Sequence, residues 1–175
     1  IKEAPAISLN KRKISANIST LLDQAVVVNR HPTRRAIFSL AAGMLSSFRN
    51  TLNTQGFTEI QTPKIVAAAT ESGANAFKLD YFGRPAYLAQ SPQFYKQIMV
   101  GVFERVFEVG PVFRAEPHDT TRHLNEYVSL DVEMGFIENH FTIMALLRDV
   151  IANILDTFNQ HYDNELALLH VEMPI

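Results

Sequence analysis

The most regular alternation of hydrophobic and polar residues lies within residues 106–136. From Tyr127 to Phe136 apolar side chains occupy every second position, which is the period-two pattern of a strand with one packed face. Residues 106–114 have the same pattern, so a second strand is predicted there. If the two strands pair antiparallel over one core, Arg114, Tyr127 and Asp131 lie together on the open face.

The segment that joins these strands, 116–126, is too long for a tight hairpin turn and too polar for a core. Long polar loops on a rigid sheet often hold ligands. We therefore expect the candidate chemistry in this loop and on the open face beside it.

Outside this hairpin, apolar spacing of three and four residues predicts helices, and shorter apolar runs predict strands. In chain order the predicted elements are a helix over 31–56, a strand over 57–61, a loop over 66–75, a hairpin of 76–81 and 86–89 about the turn 82–85, a helix from 91–92 to about 101, and a helix over 141–158. Ser91 is the predicted N-cap of its helix and Pro92 its first helical residue. Residues 1–30 are interpreted as a linker or arm, and the tail after 160 is weakly patterned. This order predicts an α+β fold whose neighbouring strands are mostly antiparallel.

Composition narrows the functional classes. The chain has 175 residues with 47% apolar content, enough for one ordinary domain or one piece of a larger one. A formal net charge of -2 gives no overall basic field, so contact with nucleic acid would depend on local patches or on parts of the protein outside this segment. The absence of cysteine fits a reducing compartment, and no apolar run is long enough for a membrane span, so we expect a cytoplasmic location.

Several common sites have no support in the sequence. Neither the glycine fingerprint of dinucleotide-binding folds nor a P-loop is present, and there is no nucleophile elbow. The six histidines never form the HExxH pattern, and no cysteine is available to complete a zinc site.

A fixed cation and several carboxylates remain as candidates. Arg114 has a bidentate fork that suits a phosphate or a carboxylate, although an ion pair with Glu116 at the rim is the simpler interpretation from residue type alone. Asp131 and Glu133 lie on a strand between large apolar residues, where carboxylates need a partner or a cationic ligand.

Five other polar residues each have two interpretations. Arg122 and His123 could contact a ligand or be ordinary solvated charge, and Tyr127 could stack on a base or cap the sheet. Gln93 and Lys96 could line a site or form the solvent face of their helix.

Taken together, these residues resemble motif 2 of the class II aminoacyl-tRNA synthetases, in the subgroup that handles aspartate, asparagine and lysine. The matching segments are Phe113-Arg114-Ala115-Glu116, Arg122-His123-Leu124, Glu126-Tyr127 and Leu130-Asp131-Val132-Glu133-Met134. Residues 56–64 resemble motif 1, which supports the dimer interface in the family. The resemblance covers about 31–158.

Within the subgroup, residues 89–97 are similar to the aspartyl form of the archaeal and eukaryotic kind. A substrate with a side-chain carboxylate calls for a cation at its tip, and Lys96 can supply one. An amide substrate would gain nothing from that charge.

The resemblance implies that ATP and aspartate give aspartyl-adenylate, and that the aspartyl group then passes to the 3' end of tRNA. Arg114 is the implied catalytic residue, because it would hold the α-phosphate and the substrate carboxylate during in-line attack. The implied ATP-binding residues are Arg114, Ala115, Glu116, Arg122, His123, Leu124 and Tyr127. The implied amino-acid-binding residues are Glu71, Ser91, Gln93, Lys96, Arg114 and Asp131.

The implied roles divide by ligand group. Glu116 would fix the adenine side of ATP, and Tyr127 would stack on adenine. Gln93 and Asp131 would bind the substrate ammonium, and Lys96 its side-chain carboxylate. Electrostatics and positioning would provide the rate, without a covalent enzyme intermediate.

The sequence departs from the family pattern in two places. Glu71, which would close over the amino acid, is followed by Ser72-Gly73 where many relatives have two glycines. The Gly-rich motif 3, from which the family draws its Mg2+ carboxylates, does not occur, so no metal ligand is predicted in this segment. Residues 1–30 resemble the linker after an anticodon-binding domain, and 31–175 the first part of a catalytic domain.

The expected partners are tRNA, aspartate and a second copy of the chain bound through the motif 1 region. Two other interpretations remain open. One is a free-standing paralogue kept for binding or regulation, and the other is an asparagine-synthetase-like relative that uses the same aspartate and ATP cleft.

Overall fold

The computed structural model describes residue 14 and residues 16–69, 76–118, 120 and 122–174. The helices are Ile18–Asp23 (α1), Ala25–Val28 (α2), Pro32–Thr54 (α3), Gln93–Phe103 (α4), His140–His161 (α5) and Asp163–Leu169 (α6). The strands are Thr58–Glu59 (β1), Ile65–Val66 (β2), Lys78–Tyr81 (β3), Arg84–Leu88 (β4), Arg105–Phe113 (β5) and Glu126–Met134 (β6). The predicted α+β fold is confirmed.

The strands form two sheets, ordered β1-β5-β6 and β2-β4-β3. All pairs are antiparallel, as predicted, except that β1 runs parallel to β5. These two strands are separated in sequence by β2, β3, β4 and α4, and a long connection of this kind can return the chain in the same direction.

The described chain divides into two compact units. One consists of Ser47 and the described residues before it together with those from Val150 onward, and the other is Phe48–Asp149. In the first unit the Ser47 hydroxyl donates to the Asn153 carbonyl at 3.1 Å and accepts from the Thr157 hydroxyl at 3.0 Å. These bonds connect α3 to α5. The expected division into 1–30 and 31–175 stays a prediction.

The second unit has its core around β5. Val106 and Phe107 are fully buried, and the Phe107 ring meets Phe48 edge to face with centroids 5.8 Å apart. Leu52 and Phe57 are also buried. Since both faces of β5 are covered over 106–110, the strand is a rigid base for the residues that follow it. The apolar face of β6 is less protected than predicted, because Val128 is 56% exposed.

The β3–β4 hairpin turns over Phe82-Gly83 alone, with φ values of 52° and 77°. The predicted four-residue turn over 82–85 was wrong, because Arg84 and Pro85 already pair with β3. Proline is tolerated there because β2 pairs only with Tyr87 and Leu88, so in the described residues β4 has no neighbour on its other side at Pro85.

Other boundaries differ by a few residues. Helix α3 begins at Pro32 as predicted, and Gly56 follows it with φ 79°. Helix α4 begins at Gln93, so the placement of Pro92 as first helical residue was wrong, although the Ser91 hydroxyl accepts from the Gln93 amide at 3.2 Å as a cap would. The short helices α1, α2 and α6 lie in segments that had been assigned no regular structure.

Candidate active site

The candidate site lies on one face of the β5–β6 pair. The opposed residues on this face are Val112 and Tyr127, Gly110 and Ser129, and Glu108 and Asp131. Arg114 comes two positions after Val112, so strand alternation places it on the face that carries Tyr127 and Asp131. The predicted antiparallel pairing is confirmed.

A cavity of about 400 Å³ opens where these strands end, which is within the usual size of small-molecule sites. The residues that line it are Arg114, Glu116, Arg122, His123, Leu124 and Tyr127. All of them belong to the set that the sequence assigned to ATP, and Ala115, the remaining member, lies half-buried between two of them. The structure therefore gathers the predicted nucleotide residues around one space.

Asn125 organises the base of the loop beside this cavity. Its carbonyl accepts from the Arg114 amide at 2.9 Å, and its side-chain oxygen accepts from the Glu116 amide at 3.2 Å. The sequence analysis did not single out Asn125. A signal was present, because an asparagine next to the first residue of a strand often bonds local backbone groups.

Within the loop, Thr120 makes hydrogen bonds to Arg122 and His123. The Thr120 hydroxyl lies 2.7 Å from Nδ1 of His123 and accepts from the Arg122 amide at 3.3 Å. The rings of His118 and His123 lie 5.2 Å apart. These contacts keep His123 and Arg122 at the wall of the cavity, although both residues are exposed.

Farther along the same face lies a buried cation, Lys96 of α4. Its Nζ is 3.1 Å from the Asp131 carboxylate and 3.5 Å from that of Glu133, and the lysine side chain is only 7% exposed. The alternative of Lys96 on a solvent face was wrong. The requirement that the strand carboxylates have a cationic partner is confirmed, and that partner comes from the chain itself.

The two parts of the site are separated by a short distance along β6. Asp131 is four residues from Tyr127, which corresponds to about 13 Å along a strand. A nucleotide joined to an amino acid is long enough to contact both ends of this face.

The remaining predicted amino-acid residues lie at the start of α4 or outside the described residues. Ser91 and Gln93 are half-buried at the N-terminus of that helix. The Ala89 carbonyl accepts from the Phe113 amide at 2.9 Å, so the segment before Ser91 is tied to the end of β5 next to Arg114. Glu71 lies outside the described residues.

A second ion pair, which the sequence analysis missed, lies next to Asp131 and has a buried carboxylate. Glu108 is 1% exposed, and its carboxylate lies 2.8 Å from Nζ of Lys64. Thr62 donates to the same carboxylate from its amide at 2.9 Å and its hydroxyl at 2.7 Å. The reasoning applied to Asp131 would have found Glu108, because it too is a carboxylate between apolar strand residues.

Within the described residues, no group of three or more histidine, aspartate or glutamate side chains is arranged to hold a metal ion. None of the described helices is both long and apolar enough to cross a membrane.

Comparison with known proteins gives a consistent set of relatives. The family described as class II tRNA synthetases (D, K and N) matches residues 17–174. The chain is 52% identical to the aspartate–tRNA(Asp/Asn) ligase of Deinococcus radiodurans over 98% of its length, and it spans about 40% of that protein.

Solved structures agree with this family. A crystal structure described as a putative aspartyl-tRNA synthetase from Leishmania major matches with a TM-score of 0.81 at 39% identity, over 91% of this chain and 30% of that one. The asparaginyl-tRNA synthetase of Pyrococcus horikoshii complexed with asparaginyl-adenylate matches with a TM-score of 0.82 at 30% identity, over 91% of this chain and 38% of that one. The chain therefore belongs to the class II tRNA synthetases of the aspartate, lysine and asparagine group, as its motifs had indicated.

Proposed function

We propose that this chain is part of the catalytic domain of an aspartate–tRNA ligase. The complete protein joins ATP and aspartate to aspartyl-adenylate with release of pyrophosphate, and then transfers the aspartyl group to the 3' end of tRNA. The main support is a buried lysine, Lys96, on the same sheet face as a cavity lined by the predicted nucleotide residues. Because the chain spans about 40% of the relative from Deinococcus radiodurans, the activity is proposed for the whole protein.

The cavity at the strand ends takes the nucleotide. Tyr127 stacks on adenine, Glu116 fixes its edge, and the exposed Arg122 and His123 contact the phosphates or ribose. Arg114, at the end of β5, presents its guanidinium to the α-phosphate. A planar fork with several donors suits the oxygens of a phosphate better than a point charge does.

The Lys96 cluster takes the amino acid. Lys96, Asp131 and Glu133 carry one positive and two negative formal charges, so the cluster attracts an ammonium group as well as offering a cation. Asp131 and Gln93 bind the substrate ammonium, Lys96 binds the side-chain carboxylate, and Glu71 closes over the amino acid.

The reaction needs charge stabilisation and alignment rather than a protein nucleophile. The α-carboxylate of aspartate attacks the α-phosphorus of ATP in line, and the bond from that phosphorus to the pyrophosphate oxygen breaks. Arg114 stabilises the negative charge that develops on the α-phosphate oxygens. In the described residues no group of three or more acidic or histidine side chains is arranged to hold a metal ion, and the family draws its Mg2+ carboxylates from motif 3.

The remaining features of this proposal come from the family resemblance. Residues 56–64 contribute to a homodimer interface, tRNA is bound largely by parts of the protein outside this segment, and the enzyme acts in the cytoplasm. Each of these stays a prediction.

Exchange of labelled pyrophosphate into ATP tests the proposal directly. The complete protein is expected to catalyse exchange that depends on aspartate, with asparagine as the matched control. No exchange with aspartate would refute adenylate formation. A preference for asparagine would refute the assignment of Lys96 to a side-chain carboxylate.

A further inference from the structure

A second charge pair lies directly beside the proposed amino-acid site. Glu108 of β5 stands opposite Asp131 of β6 on the same sheet face. Side chains opposed in this way have Cβ atoms about 4.5–5.5 Å apart, and like charges at such positions repel each other. Each carboxylate is therefore expected to need a cation of its own.

The structure supplies those two cations from different elements. Lys96 of α4 neutralises Asp131, and Lys64, which precedes β2, neutralises Glu108. The Lys64 ammonium also donates to the Thr62 hydroxyl at 3.0 Å, and this hydroxyl in turn donates to Glu108. The Glu108 carboxylate thus accepts hydrogen bonds from Thr62 and Lys64, and it does not need Lys96 as a partner.

Gly110 provides the space for this arrangement. A Cβ atom at this position would lie 3.3 Å from a Glu108 carboxylate oxygen and 3.5 Å from Nζ of Lys64. Gly110 follows Glu108 on the open face and pairs with Ser129. This pair lies between the Glu108–Asp131 pair and the Val112–Tyr127 pair. The lysine side chain therefore lies over the stretch of sheet that joins the two parts of the proposed site.

We infer that Lys64 is a positioning and specificity-determining residue, which neutralises Glu108 so that Lys96 remains available to an anionic amino-acid side chain. This inference rests on the proposed function. Two lysines and three carboxylates (Lys64, Lys96, Glu108, Asp131 and Glu133) give the combined cluster a formal net charge of -1. Loss of Lys64 makes that charge -2 and leaves Glu108 to compete for Lys96.

The consequence is selective for the charge of the substrate. A unit charge roughly 10 Å away changes a binding constant by about tenfold at an effective dielectric constant of about 20. The charged side chain of aspartate experiences this change, whereas the uncharged side chain of asparagine does not. A purely structural role of the pair would affect the use of both amino acids together.

Four variants of the complete protein test the inference by pyrophosphate exchange. Lys64→Met is expected to raise the KM for aspartate about tenfold while leaving the residual use of asparagine unchanged. Lys64→Arg retains the charge and should stay near the wild type. Glu108→Gln should keep or lower the KM for aspartate. The double variant Lys64→Met/Glu108→Gln restores the net charge and should return the KM to within about threefold of the wild type.

The outcomes separate this inference from the proposed function. A wild-type protein without aspartate-dependent exchange would overturn both. An active wild type would overturn the inference alone in either of two cases: the double variant is as impaired as Lys64→Met, or Lys64→Met impairs the use of asparagine as much as that of aspartate. Lys78→Met, at an exposed lysine of β3, is the matched control and should change none of these constants.

Discussion

At the scale of single residues, Lys96 determines the proposed choice of substrate. Replacing it by leucine removes the cation while leaving Asp131 and Glu133 in place, so the formal charge of the cluster falls from -1 to -2 and the pocket repels the side chain of aspartate. We expect kcat/KM for aspartate to fall by about 30-fold or more, the loss of roughly 2 kcal/mol for a hydrogen bond between charged groups.

The KM for ATP in the same Lys96→Leu variant serves as an internal reference, because the cavity lined by Tyr127 lies about 13 Å along the strand. It should change by less than about threefold. Lys78→Leu, which removes an exposed lysine from β3, should leave both constants unchanged. Equal losses for aspartate and ATP would show that Lys96 supports the fold rather than substrate choice.

Strand alternation determined which site residues could be identified from the sequence. Period-two patterning put Arg114, Tyr127 and Asp131 on one face, and the observed register agrees. The assignment of Lys96 to that face came from family resemblance, since helical spacing alone allowed a solvent-facing position. Lys64 was missed because no local pattern connects it to Glu108, which lies on a distant strand.

At the scale of elements, the β3–β4 hairpin contains an unusual turn. Phe82 and Gly83 both have positive φ, as in a type I' turn, and Phe82 is 91% exposed. Phe82→Asn should stabilise the protein by about 0.5–1 kcal/mol, because asparagine tolerates this backbone region better than phenylalanine. Gly83→Ala should destabilise it by about 1 kcal/mol. Urea unfolding of the complete protein measures both changes.

Phe82→Ala separates the backbone effect from loss of the ring, which meets Tyr81 edge to face at 4.9 Å. Alanine removes the ring but, unlike asparagine, does not tolerate positive φ well. The Phe82→Ala protein should therefore be less stable than the Phe82→Asn protein. A Phe82→Asn protein no more stable than Phe82→Ala would show that the turn geometry stores no strain.

Element boundaries followed the sequence where a local chemical signal fixed them. Pro32 marked the start of α3, and Gly56 followed its end with positive φ. The turn at Phe82-Gly83 was placed too widely because Pro85 was taken as a turn residue, whereas the open side of β4 accommodates it. The position of this turn depends on how β2, β3 and β4 pair, which no local sequence signal gives.

At the scale of the whole molecule, the order of elements predicted the α+β class, and spaced motifs predicted the family. The sequence could not predict the parallel pairing of β1 with β5 or the contact of residues near the two ends of the described chain. Both depend on residues far apart in sequence, and alternation or helical spacing carries no information about such pairs.

The compact unit formed by Ser47 and earlier residues with Val150 and later ones depends on a close contact at Gly43. A Cβ atom there would lie 2.6 Å from both Cζ and the hydroxyl oxygen of Tyr162, so the ring would have to move. We expect Gly43→Ala to destabilise the complete protein by about 1–3 kcal/mol in urea unfolding. Gly101→Ala, in helix α4 with no atom within 4 Å of its Cβ, is the matched control and should be neutral or slightly stabilising.

The contact is specific to one ring, so a second substitution should reveal it. Tyr162→Leu removes the aromatic ring, and in that background Gly43→Ala should lose most of its cost, giving a coupling free energy of about 1 kcal/mol or more. The ring of Tyr162 also meets Phe158 edge to face at 5.8 Å, so Tyr162→Leu alone should be destabilising. If Gly43→Ala lowered the free energy of unfolding equally in the wild type and in Tyr162→Leu, the contact with the Tyr162 ring would not be the reason that alanine is disfavoured.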